Sequence, residues 1–267
     1  PANTVTYNTL LLIPYNKLEF VSSSFSPFAI QFYVRKATFH GMQVAVKFPG
    51  ADDDFGSSAE KTLELQEEVE KFSQCWAQGY NPYLLNVIGR SVSPDGKFLL
   101  VLPWVGRSLY EELMDAKPHV EHTPQRQYDL ALGCAKALES LHEKGFVHCE
   151  VAARNFLVED KVEEGKIVPH IQICDLGFAH KENTKFNGRL EPAVIAPELQ
   201  QGSDCETGIV RNRCDIYSFG LLLLEILLRK PNLSSYTINQ RLTIDEPIPP
   251  NTPKGIRILI ESCRKKQ

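Results

Sequence analysis

The sequence predicts a fold of the α+β class, in which a small, mostly antiparallel β region precedes a larger, mainly helical region. Most of the predicted strands lie before Leu102, with one predicted helix among them. Three of the four predicted helices lie after Pro103. Alternation of apolar and polar residues is typical of strands, and apolar residues three and four positions apart are typical of helices. Polar loops at the ends of two short strands complete the pattern.

The first region begins after residues 1–17, which have no clear periodicity and are expected to form an N-terminal extension. Leu18–Ala37 is predicted to form two strands around a serine-rich turn, Ser22–Pro27. Gly41 then turns the chain into a strand at Gln43–Phe48, because glycine reaches turn conformations without steric cost.

A helix is predicted next, over Thr62–Gln78. Its apolar residues recur at helical spacing, at Leu65, Val69, Phe72 and Trp76. The turn-forming sequence Pro94–Lys97 leads into a strand at Phe98–Leu102.

The second region contains three predicted helices. Ser108–Ala116 is short and has a capping serine, Thr123–Lys144 ends at the helix-stopping Gly145, and Arg213–Leu228 is apolar enough to be a core helix. The charged segment Glu159–Lys166 is predicted to be a solvated hairpin loop.

Composition excludes several classes of protein. The net charge of −4 argues against nucleic acid or an anionic membrane as the main partner. The seven cysteines are odd in number and form no C-x-x-C pair, which indicates a reducing, cytoplasmic environment rather than a disulfide framework or a zinc site. The longest apolar run, Leu221–Leu228, contains Glu225 and is too short to span a bilayer. No signal peptide, which would have a charged region followed by an apolar region, is expected at the start of the sequence.

Two polar loops carry the candidate chemistry. Phe146–Val158 is predicted to be a strand, a polar loop and a second strand, and its loop holds Glu150, Arg154 and Asn155. The second loop follows an alternating strand and begins with Asp175. Oxygen ligands from two separate loops can bind Mg²⁺ while leaving coordination positions open for phosphate oxygens.

The first loop resembles H-R-D-L-A-A-R-N of protein kinases, and the second resembles D-F-G. Three further elements follow the kinase order: Val44–Lys47 resembles V-A-I-K, Ala196–Glu198 is A-P-E, and Asp215–Gly220 resembles D-x-W-S-F-G. From about Leu18 to Cys263 the chain therefore resembles the eukaryotic-type protein kinase superfamily, in its tyrosine-kinase-like branch. The resemblance implies a bilobal fold, with residues 18–102 as the N-lobe and residues 103–267 as the C-lobe.

The resemblance also implies a site for ATP and Mg²⁺. Lys47 would contact the α- and β-phosphates, and a glutamate on the following helix would pair with it; Glu68 is the first choice and Glu64 the alternative. Asn155 and Asp175 would bind Mg²⁺. Apart from Lys47 and Glu68, the implied nucleotide-contacting residues are Ala45, Leu102, Pro103, Val105 and Leu157.

The departures from the kinase pattern fall on the catalytic parts. No glycine occurs between Pro14 and His40, where kinases carry the glycine-rich loop over the phosphates. Glu150 replaces the catalytic aspartate and Cys149 replaces the arginine before it, while Arg154 is retained and would help to hold a substrate hydroxyl. We therefore expect weak ATP binding, impaired transfer and no phosphate-switched activation.

These observations leave three functional hypotheses. The first is a pseudokinase that acts as a signalling scaffold or allosteric regulator of another protein, such as a kinase, a receptor or another signalling component. The second is an active protein kinase of low rate, with Glu150 as the base. The third is a kinase-like fold that acts on a small molecule, since a fold does not determine a function.

Overall fold

The structure is a computed structural model, and it forms two compact units, Pro1–Val105 and Gly106–Gln267. The residues that it describes are 10–26, 32–51, 57–115, 121–186, 196, 209–231 and 247–263.

The first unit is built on one antiparallel sheet and one helix. The elements of this unit are β1 (Glu19–Ser26), β2 (Phe32–Phe39), β3 (Met42–Pro49), α1 (Ser58–Trp76), β4 (Gly89–Val92) and β5 (Phe98–Pro103). The strands form one sheet in the order β1-β2-β3-β5-β4.

The serine-rich segment is a strand rather than the predicted turn. β1 continues through Ser26, and its pairing with β2 shifts between Phe20, opposite Ala37, and Phe25, opposite Arg35. A bulge of this kind lets a strand absorb extra residues while it stays paired, so the serines do not have to turn the chain. Pro27 lies outside the described residues.

A tight turn fixes the register of β2 on β3. His40 and Gly41 both have positive φ angles, 48° and 77°, as a two-residue hairpin turn requires. Phe39 pairs with Met42 at one end of the hairpin, and Phe32 pairs with Pro49 at the other. The sequence prediction of a turn at Gly41 agrees with this geometry.

One face of the sheet carries an apolar core. Part of the predicted N-terminal extension covers this face. Ile13 is buried in this core, where its backbone N–H donates to the carbonyl of Arg90 at 2.8 Å. The other buried members of the core are Leu18, Ala37, Phe39, Val44, Val46, Leu99 and Val101. Residues 1–9 lie outside the described part of the chain.

Helix α1 packs on the other face of the sheet, and it begins at Ser58 instead of the predicted Thr62. The reason is a capping box, in which Ser57 accepts a hydrogen bond from the backbone of Glu60 and Glu60 accepts one from Ser57. The apolar residues of α1 that face inward include Leu65, Val69 and Phe72, in agreement with the predicted spacing.

The second unit is mainly helical. It contains β6 (Arg107–Ser108), α2 (Leu109–Met114), α3 (Pro124–His142), β7 (Phe146–Val147), β8 (Phe156–Glu163), β9 (Lys166–Ile173), β10 (His180–Lys181), α4 (Asn212–Leu228) and α5 (Lys254–Cys263). Ser108 and Thr123 cap α2 and α3 through their side chains, as their residue types indicated. Helix α4 is buried along most of its length, as expected for a core helix.

The charged segment Glu159–Lys166 forms the predicted hairpin, and most of its residues are exposed. It consists of the paired ends of β8 and β9 around a two-residue turn at Glu164 and Gly165, rather than of an irregular loop. Asp160 accepts hydrogen bonds from Arg107 at 3.0 Å and from Arg126 at 2.6 Å, and both arginines also bind the buried Glu112. This network of four charges ties the hairpin to the helices beside it.

The predicted fold class is confirmed: an antiparallel β unit with one helix precedes a mainly helical unit. The A-P-E element lies outside the described residues except for Ala196. None of the helices in the described part of the chain combines the length and apolar character needed to cross a bilayer.

Candidate functional site

Lys47 forms a buried ion pair with Glu68. Its Nζ lies 2.8 Å from Glu68 Oε2, and the two side chains are 5% and 1% exposed. Strand β3 supplies the lysine and helix α1 supplies the carboxylate from the same face of the sheet. The ring of Phe32 also lies against the lysine, with Nζ 4.7 Å from the ring centroid.

Glu64 was the alternative partner, and it lies one helical turn before Glu68. Burial, with a smaller contribution from the negative charge of Glu67, raises the pKa of Glu64 above its ordinary value. The ion pair with Lys47 is formed by Glu68.

Two of the predicted nucleotide-contacting residues of the first unit, Ala45 and Leu102, lie on the same sheet face as Lys47. Ala45 pairs with Leu102, so the two residues share the sheet face that carries Lys47. Pro103 ends β5, and Val105 is half-buried at the end of this unit. The contact of these four residues with a nucleotide stays a prediction.

The remaining predicted nucleotide-contacting residue, Leu157, belongs to the second unit. It is half-buried on β8, where it pairs with Ser108 and with Gln172.

The polar loop of the second unit is anchored by a buried carboxylate on α4. Asp215 accepts hydrogen bonds from the backbone N–H groups of His148, at 2.7 Å, and Cys149, at 2.8 Å. Cys149 adopts a left-handed conformation with φ of 65°. His142 lies 2.7 Å from the same carboxylate. The anchor holds the loop in a conformation that the backbone would rarely adopt by itself.

A second buried carboxylate supports the other end of this loop. Glu225 on α4 accepts a hydrogen bond from the backbone N–H of Ala153 at 3.2 Å, where a short 3₁₀ turn leads to Asn155. The sequence drew attention to Glu225 only as an interruption of an apolar run. Its acidity within that run was the available signal that a buried polar partner existed.

Glu150 is buried, and both oxygens of its carboxylate are bound within its own loop. Arg154 donates from its guanidinium to Oε1 at 2.9 Å, and the Asn155 side chain donates to Oε2 at 2.9 Å. The Asn155 amide also donates to the Glu150 backbone carbonyl at 2.8 Å. The three predicted residues therefore form one connected hydrogen-bonded cluster.

The pairing of β8 with β9 brings Asn155 close to the second polar loop. Phe156 pairs with Ile173, so the residues before and after this pair are neighbours, and Cys174 donates its backbone N–H to the Asn155 carbonyl at 3.1 Å. Asp175 follows immediately, and its Oδ1 accepts a hydrogen bond from the backbone of Gly177 at 2.8 Å.

These two residues fit a magnesium site of the kind that shares its ion with phosphates. Asp175 offers a carboxylate and Asn155 a carboxamide, which are hard oxygen donors of the type that Mg²⁺ prefers. Among the described residues, no three His, Cys, Asp or Glu side chains are grouped so that they could hold a metal by themselves. Mg²⁺ usually keeps most of its coordination for water and phosphate, so two protein ligands suffice.

Cys149, which stands at the arginine position of the kinase pattern, packs in an apolar cluster. It is buried with Val147, Ala196, Val210 and Cys214. A thiol among apolar side chains offers a phosphate neither charge nor strong hydrogen bonds.

Comparison with known proteins gives the family. Residues 29–267 match the family described as protein tyrosine and serine/threonine kinase. A mitogen-activated protein kinase kinase kinase 7-like protein of Drosophila melanogaster is 28% identical over 249 residues, covering 86% of this chain and 57% of that protein. Mitogen-activated protein kinase kinase kinase 7 of Drosophila melanogaster is 28% identical over 242 residues, covering 87% of this chain and 32% of that protein.

A plant relative shows similar identity. Proline-rich receptor-like protein kinase PERK13 of Arabidopsis thaliana is 28% identical over 184 residues, covering 65% of this chain and 23% of that protein. The chain thus spans between about a quarter and somewhat more than half of the length of these relatives.

Kinases of this superfamily generally bind ATP and Mg²⁺. Because the family match covers most of its residues, the chain belongs to the protein tyrosine and serine/threonine kinase family.

Proposed function

We propose that this kinase domain transfers phosphate poorly or not at all, binds ATP and Mg²⁺ weakly, and acts on another signalling protein as a scaffold or allosteric regulator. The observation that carries the proposal is the position of Glu150. Its two carboxylate oxygens are occupied by Arg154 and Asn155, at 2.9 Å each.

A protein kinase needs a carboxylate at this place that accepts the proton of the substrate hydroxyl. Glutamate has the charge for this role, but its side chain is one methylene longer than aspartate and folds back onto its own loop. Releasing one oxygen would break a hydrogen bond to a charged group, which costs about 1.5–3 kcal/mol. That cost alone corresponds to roughly a 10- to 100-fold loss in rate.

The weak-binding part of the proposal rests on the nucleotide side of the site. The Lys47–Glu68 pair retains the cation that would contact phosphates. No glycine stands between Pro14 and His40 to let the backbone approach those phosphates closely. The site thus keeps the contact between Lys47 and the phosphates but loses the close approach of the backbone to them, so we expect weak binding.

The second candidate function is a slow but active protein kinase, and a specific observation favours it. Asn155 offers a carboxamide and Asp175 a carboxylate as ligands for Mg²⁺, and Glu150 still provides a carboxylate. Such an enzyme would use Glu150 as its base after the carboxylate rotates away from Arg154.

A transfer experiment separates the two candidates. The purified domain is incubated with labelled ATP, with Mg²⁺ or Mn²⁺, and with a general protein acceptor, beside the Asp175→Ala variant. Our proposal predicts the same low signal from both proteins. Transfer by the parent that Asp175→Ala abolishes would establish the slow kinase instead.

Nucleotide binding is tested separately by thermal unfolding with ATP and Mg²⁺. A ligand present at 100 times its Kd adds about 2.7 kcal/mol to the free energy of unfolding. We expect a small stabilisation at millimolar ATP that Lys47→Met reduces. If millimolar ATP does not raise the unfolding temperature, the domain binds no nucleotide, and only the scaffold part of the proposal remains.

We also propose that the domain works in a reducing, cytoplasmic environment, because its seven cysteines are odd in number and form no C-x-x-C pair.

A further inference from the structure

Phe32 and Lys47 are neighbours on one face of the first unit's sheet. Val34 pairs directly with Lys47, and Phe32 precedes Val34 by two residues, so all three side chains lie on the same face. Phe32 is 8% exposed, and its ring centroid is 4.7 Å from Lys47 Nζ. The lysine is therefore held by the Glu68 carboxylate and by an aromatic face.

We propose that Phe32 gates Lys47, so that the phosphates of a nucleoside triphosphate bind the ammonium only after the ring has moved away. This inference rests on the proposed function, in which Lys47 is the phosphate contact of a weak nucleotide site. It gives a second reason for weak nucleotide binding. That reason lies within the first unit and does not involve Glu150.

The physical argument is competition for one cation. An ammonium has three N–H donors, and Glu68 accepts from it at 2.8 Å. A ring within about 6 Å of a cation is attracted to it, most strongly where water is excluded, as it is around this buried pair. A phosphate oxygen that approaches Lys47 from the side of the ring must displace both that attraction and the buried ring surface.

The register of β2 makes the gate specific to Phe32. Tyr33, the next residue, pairs with Phe48 on the opposite face and is 45% exposed. The two adjacent aromatic residues thus provide a matched pair, in which only one contacts the lysine.

The experiment measures the affinity of the purified domain for ATP with Mg²⁺, by calorimetry or thermal shift, in four variants. Phe32→Ala should bind about 10- to 30-fold more tightly than the parent, since a desolvated cation–π contact is released. Phe32→Leu, which keeps the apolar bulk without the aromatic face, should give a smaller gain. Tyr33→Ala should leave the affinity within about twofold. Phe32→Ala combined with Lys47→Met should lose the gain, as expected for two residues that interact directly.

Adenosine, which lacks phosphates, is the second ligand. Its affinity should be the same in the parent and in Phe32→Ala, because the gate acts on the phosphate contact. An equal gain for adenosine and ATP would overturn the proposal, as would an unchanged ATP affinity in Phe32→Ala. Neither result bears on Asp175-dependent transfer by the parent, which tests the proposed function.

A readout without nucleotide uses the reactivity of the lysine amines. Acetylation followed by mass spectrometry should modify Lys47 at least about 10-fold faster in Phe32→Ala than in the parent, on the scale of the lost contact. Lys97, whose side chain is 38% exposed, serves as the internal reference in the same digest. Equal protection of Lys47 in both folded proteins would contradict the gate.

Discussion

Shortening Glu150 to aspartate should increase phosphate transfer. The lost methylene withdraws the carboxylate by about one bond length, roughly 1.5 Å. Added to the present separations of 2.9 Å from Arg154 and from Asn155, this gives about 4.4 Å, which is beyond hydrogen-bonding distance. The carboxylate of Glu150→Asp is thus released from its own loop.

The size of the increase follows from the bonds that are removed. One hydrogen bond to a charged group is worth about 1.5–3 kcal/mol, and a misplacement of about 1 Å in a reacting group costs about 100-fold. We therefore expect Glu150→Asp to transfer phosphate about 10- to 100-fold faster than the parent. Single-turnover incubation with labelled ATP and Mg²⁺ measures this rate.

Two further variants make the result specific. Glu150→Gln keeps the length but removes the charge, so it should not increase transfer. Glu159→Asp makes the same chemical change on the exposed part of β8, where Glu159 forms a solvent-exposed ion pair with Lys161 at 3.1 Å, and it should have no effect. If Glu150→Asp binds ATP as the parent does but transfers no faster, the reasoning from carboxylate placement is refuted.

Three predictions concern stability, each measured by denaturant or thermal unfolding. Asp215→Asn should cost about 2–5 kcal/mol, since one amide cannot replace both carboxylate contacts to His148 and Cys149; a loss below 1 kcal/mol would contradict the anchor. Cys149→Arg should destabilise by about 3–5 kcal/mol, because it places a charge in an apolar cluster; a neutral result would mean that the cluster is open to water. Burial opposes ionisation of Asp160, but hydrogen bonds from Arg126 and Arg107 lower its pKa below the ordinary 3.8. Because the folded-state pKa is the lower one, the stability advantage of the parent over Asp160→Asn should be complete well above pH 3.8 and shrink as the pH falls below it. An advantage that is independent of pH would argue against the ion pair.

Local patterns were sufficient to predict most of the fold. The alternation in Gln43–Phe48 and the spacing of Leu65, Val69 and Phe72 specify a strand and a helix without reference to the rest of the chain. The start of α1 was also encoded locally, in the capping pair Ser57 and Glu60, although the apolar period alone placed it later. The serine-rich stretch misled because serine is common in turns, whereas a bulge accommodates it in β1.

The geometry of the candidate site depended on contacts that a sequence does not display. Glu150 and Arg154 are four residues apart, but they meet in an irregular loop rather than on a helix, so their spacing predicts no pairing. Glu225 accepts a hydrogen bond from Ala153, which lies 72 residues away in the sequence. Phe32 reaches Lys47 only because the turn at Gly41 and the register of β2 align them. The residue types of the site and the Lys47–Glu68 pair could thus be predicted, the pair through the kinase resemblance, while the contacts of Glu150, Glu225 and Phe32 could not.

The most direct test of the account is the single-turnover rate of the parent domain with saturating ATP, Mg²⁺ and a protein acceptor. Protein kinases typically turn over at about 1–100 per second. A carboxylate held by its own loop and displaced by about 1 Å should lower that rate at least about 100-fold, and we expect a value indistinguishable from that of Asp175→Ala. Transfer that is measurable in the parent and disappears in Asp175→Ala would contradict the account.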